Sequence, residues 1–420
     1  APTTGIERWA TNVSVSDYAH DELTRPITEG LFEKDSIEIN SKIEHSTLFG
    51  WRGTLGINVA QQKIKLCHDH TGCDKIPDYS NQQWNGNQGN LFTTQGGYEF
   101  VHDTPMPITE SSNIGYFLVE HKPWEIEGIG QGIIELGARV DIKKIEADPI
   151  SINPSSRRVK EYYDDKNFFP TTFSAASTWF LNDTQRLSLS LSRAQRAPDG
   201  EELYWNGDHH ATFSYQLDNA YLTEETAYTT DLIWNITGKK HLIRSAVYYY
   251  HFNDYIYNDL KNITDPYHNH PVYKHEQEDA RFYGFEFSWQ QQLTHALSGT
   301  LSLDSVRAHL LEGEDKGVPR LPPTTASIKI NWKNNNWSAS AENHWVAKQN
   351  IIAQGERSTA GFNTFDIAAD YTVYFSQKEI VTRLKINNLF NVTSTNHVSY
   401  LKEFAPNSGR NIQLQSQLYF

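Results

Sequence analysis

The chain has 420 residues, a net charge of −14 and a hydrophobic content of 38%, with aromatic residues at 13%. It contains no run of about 18 apolar residues, which excludes a membrane protein built from spanning helices. The acidic balance argues against a nucleic-acid partner, because such proteins need a basic surface to neutralise phosphates. A membrane β-barrel is compatible with this composition, since its strands need an apolar residue only at every second position.

Alternation of apolar and polar residues recurs along the whole chain. Leu187, Leu189 and Leu191 alternate with serines, and Ile37 and Ile39 flank a glutamate. Each such segment has one apolar and one polar face, as expected of a β-strand. The apolar face would point inward in a soluble sandwich and outward to lipid in a membrane barrel. Periodicity alone therefore leaves both folds open.

The lengths of the connections distinguish the two folds. About sixteen strands are predicted, at 8–19, 36–46, 52–66, 113–122, 131–145, 170–182, 186–193, 224–236, 241–256, 279–291, 296–310, 324–333, 337–348, 363–375, 380–391 and 411–420. Short connections alternate with long ones, which are 20–35, 67–112, 146–169, 194–223, 257–278, 311–323, 350–362 and 392–410. Short periplasmic turns and long extracellular loops are typical of outer-membrane barrels. The sequence therefore predicts an all-β fold, an antiparallel transmembrane β-barrel that spans residues 1–420 as one domain.

Four segments carry a resemblance to a known family, and they occur in the order Asp17–Glu22, Ser192–Tyr204, Phe282–Glu286 and Leu384–Asn391. A closing strand then ends on an aromatic carboxyl terminus. Together they resemble the barrel of TonB-dependent outer-membrane receptors. The residues that match the family motifs are Arg196, Pro198, Glu202, Leu203, Tyr204, Asn387, Asn388, Leu389, Phe390, Asn391 and Phe420.

The resemblance implies more than the chain contains. Receptors of this family carry an energy-coupling box and a globular plug inside a barrel of 22 strands. Counting back from Phe420, the first predicted strand would be the seventh of 22. We therefore expect either a plug and about six further strands outside this sequence, or a chain that closes differently from its relatives. The resemblance also implies a bacterial outer-membrane location in contact with lipid, and energising by the TonB-ExbB-ExbD system through the plug. A transporter is expected and not an enzyme, and no Gly-x-Ser-x-Gly motif is present.

Within the family, the chain is most similar to the zinc-uptake (ZnuD-type) receptors. The spacing that carries this likeness runs from Glu202, Leu203 and Tyr204 to Gly207, His209, Ala211, Thr212 and Phe213. The likeness implies that zinc is the bound or transported ion. A haem, siderophore or other metal-chelate receptor of the same family is the alternative. A passive pore or a surface adhesin is the second alternative.

One candidate metal site lies at the predicted outer end of a strand. His68, Asp69 and His70 stand between Cys67 and Cys73. Imidazole, carboxylate and thiolate are all zinc ligands. Because the cell exterior is oxidising, we expect Cys67 and Cys73 to form a disulfide that presents the two histidines. Thiolate ligation and a loop tip without bound metal remain open.

A second candidate is the Asp208-His209-His210 segment in the long loop 194–223. The resemblance favours His209 as a metal ligand, and His210 is either a further ligand or a solvated loop residue. Other histidines fall in predicted external loops, where they could capture a borderline-soft cation. They are His20, His102, His268, His270 and His275.

Overall fold

In the described part of the chain, sixteen long strands follow one another along a single antiparallel sheet. They are β1 (Ile6–Thr24), β2 (Ile27–Leu48), β3 (Trp51–His68), β6 (Ile108–Ile126), β7 (Gly130–Asp148), β9 (Thr171–Asn182), β10 (Gln185–Arg196), β13 (Glu225–Thr237), β14 (His241–Thr264), β15 (Pro271–Gln292), β16 (Leu297–Leu310), β18 (Thr325–Asn334), β19 (Trp337–Val346), β20 (Phe362–Phe375), β21 (Lys378–Asn387) and β22 (Asn411–Tyr419). Each is paired antiparallel with the next, with local register shifts in the pairs β1–β2, β2–β3, β9–β10 and β14–β15.

The remaining elements are short. Short strands among the described residues are β4 (Phe92–Gln95), β5 (Tyr98–Val101), β8 (Lys166–Phe168), β11 (Gly207–His209), β12 (Ser214–Leu217) and β17 (Lys316–Gly317). The α-helix α1 spans Gly200–Tyr204, and 3₁₀ turns span Lys160–Tyr163 and His210–Thr212. This computed structural model describes residues 5–24, 26–68, 73, 92–101, 105–148, 160–312, 316–376 and 378–420. Within those ranges, no helix is long and apolar enough to cross a membrane.

The predicted strands are confirmed in number and order, whereas two of the predicted long loops are wrong. Residues 20–35 lie mostly in β1, which ends at Thr24, and β2, which begins at Ile27. Residues 257–278 lie mostly in β14 and β15, which turn at 265–270. These strands continue beyond the span that a bilayer requires, about 9–11 residues. Outside lipid neither face has to be apolar, so the alternation that identifies a strand fades there.

The two faces of the long strands differ as a membrane barrel requires. Large apolar side chains on one face are exposed, among them Val15, Leu55, Ile114, Leu191 and Leu414. Because water would make this exposure unfavourable and lipid does not, this is the outer surface of the wall. The fold is an antiparallel transmembrane β-barrel.

The other face carries hydrogen-bonded polar side chains. The Asn58 amide donates to Glu38 and Asn40 over 2.9 and 2.7 Å. One strand further on, the Asn113 amide donates to Asp141 over 2.8 Å, and the Arg139 guanidinium pairs with the same carboxylate. Such a network is expected of a wet lumen, where polar groups satisfy one another and water.

The two edge strands of this sheet are β1 and β22. Within the described residues, β1 pairs with β2 alone and β22 with β21 alone. A barrel embedded in lipid satisfies every strand edge by pairing. The expectation that about six further strands join these two edges stays a prediction.

A folded region lies beyond the wall, on the side opposite the short turns. Strands β14 and β15 have 24 and 22 residues, about twice the length that crosses a bilayer. Residues of loop 194–223 fold against their outer ends, and β12 pairs with β15 in parallel. Tyr204 and Tyr215 are fully buried there. A packed core therefore supports the tip of the β14–β15 hairpin and holds its side chains in place.

Candidate metal centre

The turn between β14 and β15 is shaped by Asp265. Its carboxylate, whose side chain is fully buried, accepts hydrogen bonds from the backbone N–H groups of Tyr267, His268 and His270 at 2.9, 2.8 and 2.6 Å. The backbone of Asp265 also donates to the carbonyl oxygen of His270 over 2.9 Å. An aspartate that bonds the backbone a few residues ahead is a common way to close a tight turn. Asp265 thereby fixes the positions of both histidines.

Asn269 separates the two histidines and brings their rings together. Its φ of 60° lies in the left-handed region, which asparagine tolerates better than most residues. Its side chain accepts a hydrogen bond from the Thr264 hydroxyl over 2.8 Å. As a result, the rings of His268 and His270 stack with centroids 5.5 Å apart and planes 25° apart. Both imidazoles are presented at one end of the hairpin.

Asp208 comes to the same place from the long loop 194–223. It lies in β11, opposite Tyr215 of β12, and Tyr215 in turn lies beside Val272 at the start of β15. Gly207 leaves room for this approach, because a Cβ there would lie 2.1 Å from Pro105. The Tyr215 hydroxyl is held in place because it accepts a hydrogen bond from the Val101 backbone N–H over 2.6 Å and donates to the Asn206 side-chain oxygen over 2.8 Å.

These elements assemble one group of potential metal ligands. The Nδ1 atom of His270 lies 2.7 Å from Asp208 Oδ1. The Nδ1 atom of His268 lies 3.6 Å from Asp208 Oδ2 and 3.7 Å from Asp265 Oδ1. One ligand atom from each of the four residues lies within 4.8 Å of all the others. Ligand atoms around a tetrahedral zinc ion stand about 3.3 Å apart, so small side-chain rotations would complete the site. We call Asp208, Asp265, His268 and His270 the Asp/His cluster.

Burial makes the Asp/His cluster a favourable place for a cation. The side chains of Asp208 and Asp265 are 3% and 0% exposed, whereas His268 and His270 keep 26% and 20% of their surface exposed. Two ionised carboxylates this close repel each other, and burial removes the water that would screen them. A divalent cation would neutralise both, and the partly exposed imidazole rings place the cluster close to solvent.

The predicted disulfide is present. Cys67 and Cys73 are bonded, with Cα atoms 6.0 Å apart. The Cys73 backbone N–H donates to the Thr28 carbonyl oxygen over 2.7 Å, which ties the bridge to β2. His68 is described and is buried, with 3% of its surface exposed. The proposed ligands Asp69 and His70 lie outside the described residues.

Replacing both cysteines with serine is expected to loosen the outer ends of β2 and β3 while leaving the wall intact. The bridge closes a loop of sequence separation 6, for which chain entropy gives about 2 kcal/mol. Hydrogen–deuterium exchange of peptides covering 27–31 and 64–68 should be faster in the variant, and reducing the native protein should reproduce the change. Equal exchange in the oxidised protein and the variant would show that the bridge constrains nothing.

The predicted ligands in loop 194–223 are placed differently from the Asp/His cluster. His209 is exposed, and its ring lies 5.8 Å from that of Trp205. Neighbouring strand residues point to opposite faces, which is why Asp208 turns toward the cluster and His209 does not join it. The side chain of His210 lies outside the described part of the chain. A ligand role for His209 or His210 stays a prediction that competes with the Asp/His cluster, and variants of these histidines distinguish the two sites.

The segment 265–270 carries the sequence signal of the Asp/His cluster. It reads Asp-Pro-Tyr-His-Asn-His, with two histidines at alternate positions and an aspartate three residues before the first. His268 and His270 were expected only as loop histidines able to attract a cation, and Asp208 only as part of a His-rich segment. Asp265 is not predicted as a metal ligand from the sequence, because an aspartate that forms a turn and one that binds a metal look the same there.

The Arg196 motif serves to hold loop 194–223. The Arg196 guanidinium donates to Glu202 over 2.8 Å, and Glu202 also accepts from the Asp199 backbone N–H over 2.8 Å. Leu203 and Tyr204 are buried beneath it, and the Pro198 carbonyl oxygen accepts from a lysine. These residues position α1 and the strand that carries Asp208.

The motif near the carboxyl end is a turn. Asn388 and Asn391 have φ values of 49° and 54°, in the left-handed region that asparagine tolerates. The Asn388 side chain bonds both ways with the Val392 backbone over 2.8 Å. Leu389 bonds the Phe365 backbone, and Phe390 is exposed. The motif therefore shapes the exit from β21.

Comparison with solved structures gives the same architecture. The chain superimposes on "Copper transporter OprC" with a TM-score of 0.74 at 16% identity, covering 99% of this chain and 63% of that one. It superimposes on the FrpB iron transporter from Neisseria meningitidis with a TM-score of 0.63 at 14% identity, covering 93% and 55%. The siderophore receptor PiuA from Acinetobacter baumannii gives 0.62 at 14%, covering 93% and 56%.

The chain thus spans between about half and two thirds of the length of these proteins. Identities this low establish a shared fold alone. A family model described as "TonB dependent receptor-like, beta-barrel" matches residues 8–389, most of the chain. Its members are outer-membrane receptors and transporters and not enzymes. This protein belongs to the TonB-dependent receptor β-barrel family and lies in the bacterial outer membrane.

Proposed function

We propose that this protein is an outer-membrane receptor that captures zinc at the Asp/His cluster and takes part in its TonB-dependent import. The observation that carries the proposal is the convergence of Asp208, Asp265, His268 and His270 on one point outside the membrane wall. Zinc is the cargo here and not a resident cofactor. Its capture requires only ligand exchange, so no covalent bond of the protein is made or broken.

The ligand types support zinc over harder cations. Imidazole nitrogens suit zinc and other late transition metals, whereas Mg²⁺ and Ca²⁺ prefer carboxylate, carbonyl and water oxygens. His268 and His270 supply two nitrogens, and Asp208 supplies a buried carboxylate. The sequence likeness to zinc-uptake receptors around Gly207 and His209 points the same way. Copper binds the same ligands tightly and is therefore the competitor to test.

The arrangement also suggests how the ion would be released. Asp265, His268 and His270 belong to the β14–β15 turn, whereas Asp208 belongs to β11 in another loop. A small displacement of that loop would remove one ligand and leave three, which weakens a zinc site considerably. We propose that the TonB-ExbB-ExbD system, acting through a plug, supplies the energy for such a displacement.

Replacing His268 and His270 together with alanine is expected to abolish zinc-limited growth that depends on this receptor and to reduce uptake of radioactive zinc to background. Both imidazole ligands are lost, while Asp265 still accepts the backbone hydrogen bonds that form the turn. The matched control replaces His209 and His210 with alanine in the same folded region, and it should keep uptake. Equal uptake by the first variant and the native receptor would rule out the Asp/His cluster as the capture site.

A second experiment distinguishes bare zinc from a metal chelate as the cargo. Cells limited for zinc are supplied with zinc chloride alone, and cells limited for iron are supplied with haem or a ferric siderophore. Growth on zinc alone supports the proposal, whereas growth only on a chelate would replace it with the runner-up cargo. Constant, unselective conductance of the purified protein in planar bilayers would favour a passive pore.

A further inference from the structure

A cavity of about 460 Å³ opens next to the Asp/His cluster, between the β14–β15 hairpin and the loops 350–361 and 392–410. Its size lies in the range of sites for small organic molecules. Phe213 and Pro271 line the wall nearest the cluster. Pro271 follows His270 directly, and the Phe213 ring lies 5.9 Å from the His270 ring. The cavity and the cluster are therefore neighbours separated by one aromatic side chain.

Arg320 is the dominant polar group of this cavity. Its guanidinium lies 3.1 Å from the ring centre of Tyr400 and 5.0 Å from that of Tyr273. Among the described residues it forms no salt bridge with a carboxylate. One guanidinium N–H reaches the Tyr273 hydroxyl. Stacking uses the flat face of a guanidinium, so its remaining in-plane N–H donors can bind a carboxylate. Arg320 is thus a fixed cation without an anion.

The backbone holds Arg320 in an unusual conformation. Its φ of 55° lies in the left-handed region, which a long side chain adopts at a cost of about 1 kcal/mol. Its backbone N–H donates to both carboxylate oxygens of Glu356, at 3.2 and 3.3 Å. Conformations of this kind persist where the surrounding structure enforces them, and they concentrate at binding sites.

The remaining charges of the cavity cancel in pairs. Lys402 lies 2.7 Å from Glu356, and Arg357 lies 3.0 Å from Glu403. These are the other charged residues that line the cavity, so Arg320 leaves one positive charge in excess. The apolar part of the cavity wall is largely aromatic. Within it, Phe404 packs edge-on against Phe213 with ring centres 5.9 Å apart.

We propose that this cavity is a second ligand site, separate from the metal ligands, for a small organic anion that combines a carboxylate with a flat aromatic ring. The carboxylate would bind the Arg320 guanidinium, and the ring would lie among Tyr400, Phe213 and Phe404. The site goes beyond the capture of a bare ion. It would let the receptor sense or co-bind an aromatic acid while the cation occupies the Asp/His cluster.

The test uses the protein purified from outer membranes and one pair of probes, 2-naphthoate and its neutral amide. Ligand-observed NMR titration should show saturable binding of naphthoate and at least about tenfold weaker binding of the amide, the difference that one charged hydrogen bond provides. Arg320→Gln should weaken naphthoate binding by a similar factor, and Arg320→Lys should recover part of it. Arg244→Gln, near the far end of β14, is the matched control and should bind as the native protein does.

Three outcomes would overturn the proposal. They are equal affinity for the acid and the amide, equal affinity of the Arg320→Gln and Arg244→Gln variants, and the absence of saturable naphthoate binding. Zinc titration of the same samples checks folding, because Arg320→Gln should leave zinc affinity within about twofold of the native value. Conversely, Asp208→Asn should leave naphthoate binding intact, so failure of the zinc proposal and failure of this one give different results.

Discussion

Replacing Asp208 with asparagine is expected to lower zinc affinity at least about 100-fold, which corresponds to about 2.7 kcal/mol. The change keeps the size of the side chain and removes the charge that faces His270 over 2.7 Å and His268 over 3.6 Å. A neutral amide oxygen is a much weaker ligand for zinc than a carboxylate. Isothermal titration of the detergent-solubilised protein with zinc chloride measures the loss directly.

The control for this prediction is the next residue in the chain. His209→Asn alters an exposed side chain of the same strand, and its zinc affinity should stay within about threefold of the native value. Circular dichroism should show the same strand content in both variants. If the His209 variant loses zinc and the Asp208 variant does not, the binding site predicted from sequence is correct and the Asp/His cluster is not the site.

Replacing Glu356 with glutamine is expected to release the loops 350–361 and 392–410 from each other. The Glu356 carboxylate accepts hydrogen bonds from Lys402 Nζ over 2.7 Å and from the Ala353 backbone over 3.2 Å, and it lies 3.3 Å from His397 Nε2. Removing one partner of a buried ion pair costs about 3 kcal/mol. Hydrogen–deuterium exchange in both loops should then be up to about 100-fold faster.

The same carboxylate gives this effect a pH dependence. Burial by itself raises the pKa of Glu356, but the neighbouring His397 imidazole and Lys402 ammonium lower it from 4.5 to about 2. A carboxylate whose pKa is lower in the folded state contributes stability that is complete above its ordinary pKa and is lost as the pH falls through the folded value. The protection of native protein over Glu356→Gln should therefore be full at pH 6 and vanish between about pH 4.5 and pH 2.

Glu403→Gln serves as the matched control, because Glu403 pairs with Arg357 at the surface, where the Arg357 side chain is 78% exposed. Exposed pairs contribute at most about 1 kcal/mol, so loop exchange should hardly change. Similar exchange rates in the Glu356 and Glu403 variants would show that the buried network does not hold the two loops together.

The sequence predicts those parts of the fold that depend on interactions between residues close together in the chain. The alternation of Leu187, Leu189 and Leu191 follows from lipid on one side and water on the other, so it predicts β10 and its neighbours without tertiary information. The short connections between strands also depend on neighbouring residues alone and are therefore predictable from the sequence. The outer halves of β2 and β14 escaped prediction, because beyond the lipid a strand is stabilised by its partners and leaves no apolar period in the sequence.

The same distinction between local and long-range interactions applies to the candidate site. The sequence predicted the Cys67–Cys73 bridge, because six residues of chain and an oxidising exterior are enough to favour it. It also drew attention to the histidine-bearing segments that contain Asp208 and His270. It could not show that these two residues meet, since they lie 62 positions apart.

The amino-acid sequence by itself determined the strand count, the two-faced wall, the family and the location in the outer membrane. The tertiary structure alone decided which titratable residues form a site. Strand β12 pairs in parallel with β15 and carries β11 with it, which places Asp208 beside the β14–β15 turn. In the same way, only packing between distant loops sets Arg320 against Tyr400. Such contacts depend on long-range pairing and side-chain packing, which leave no period in the sequence.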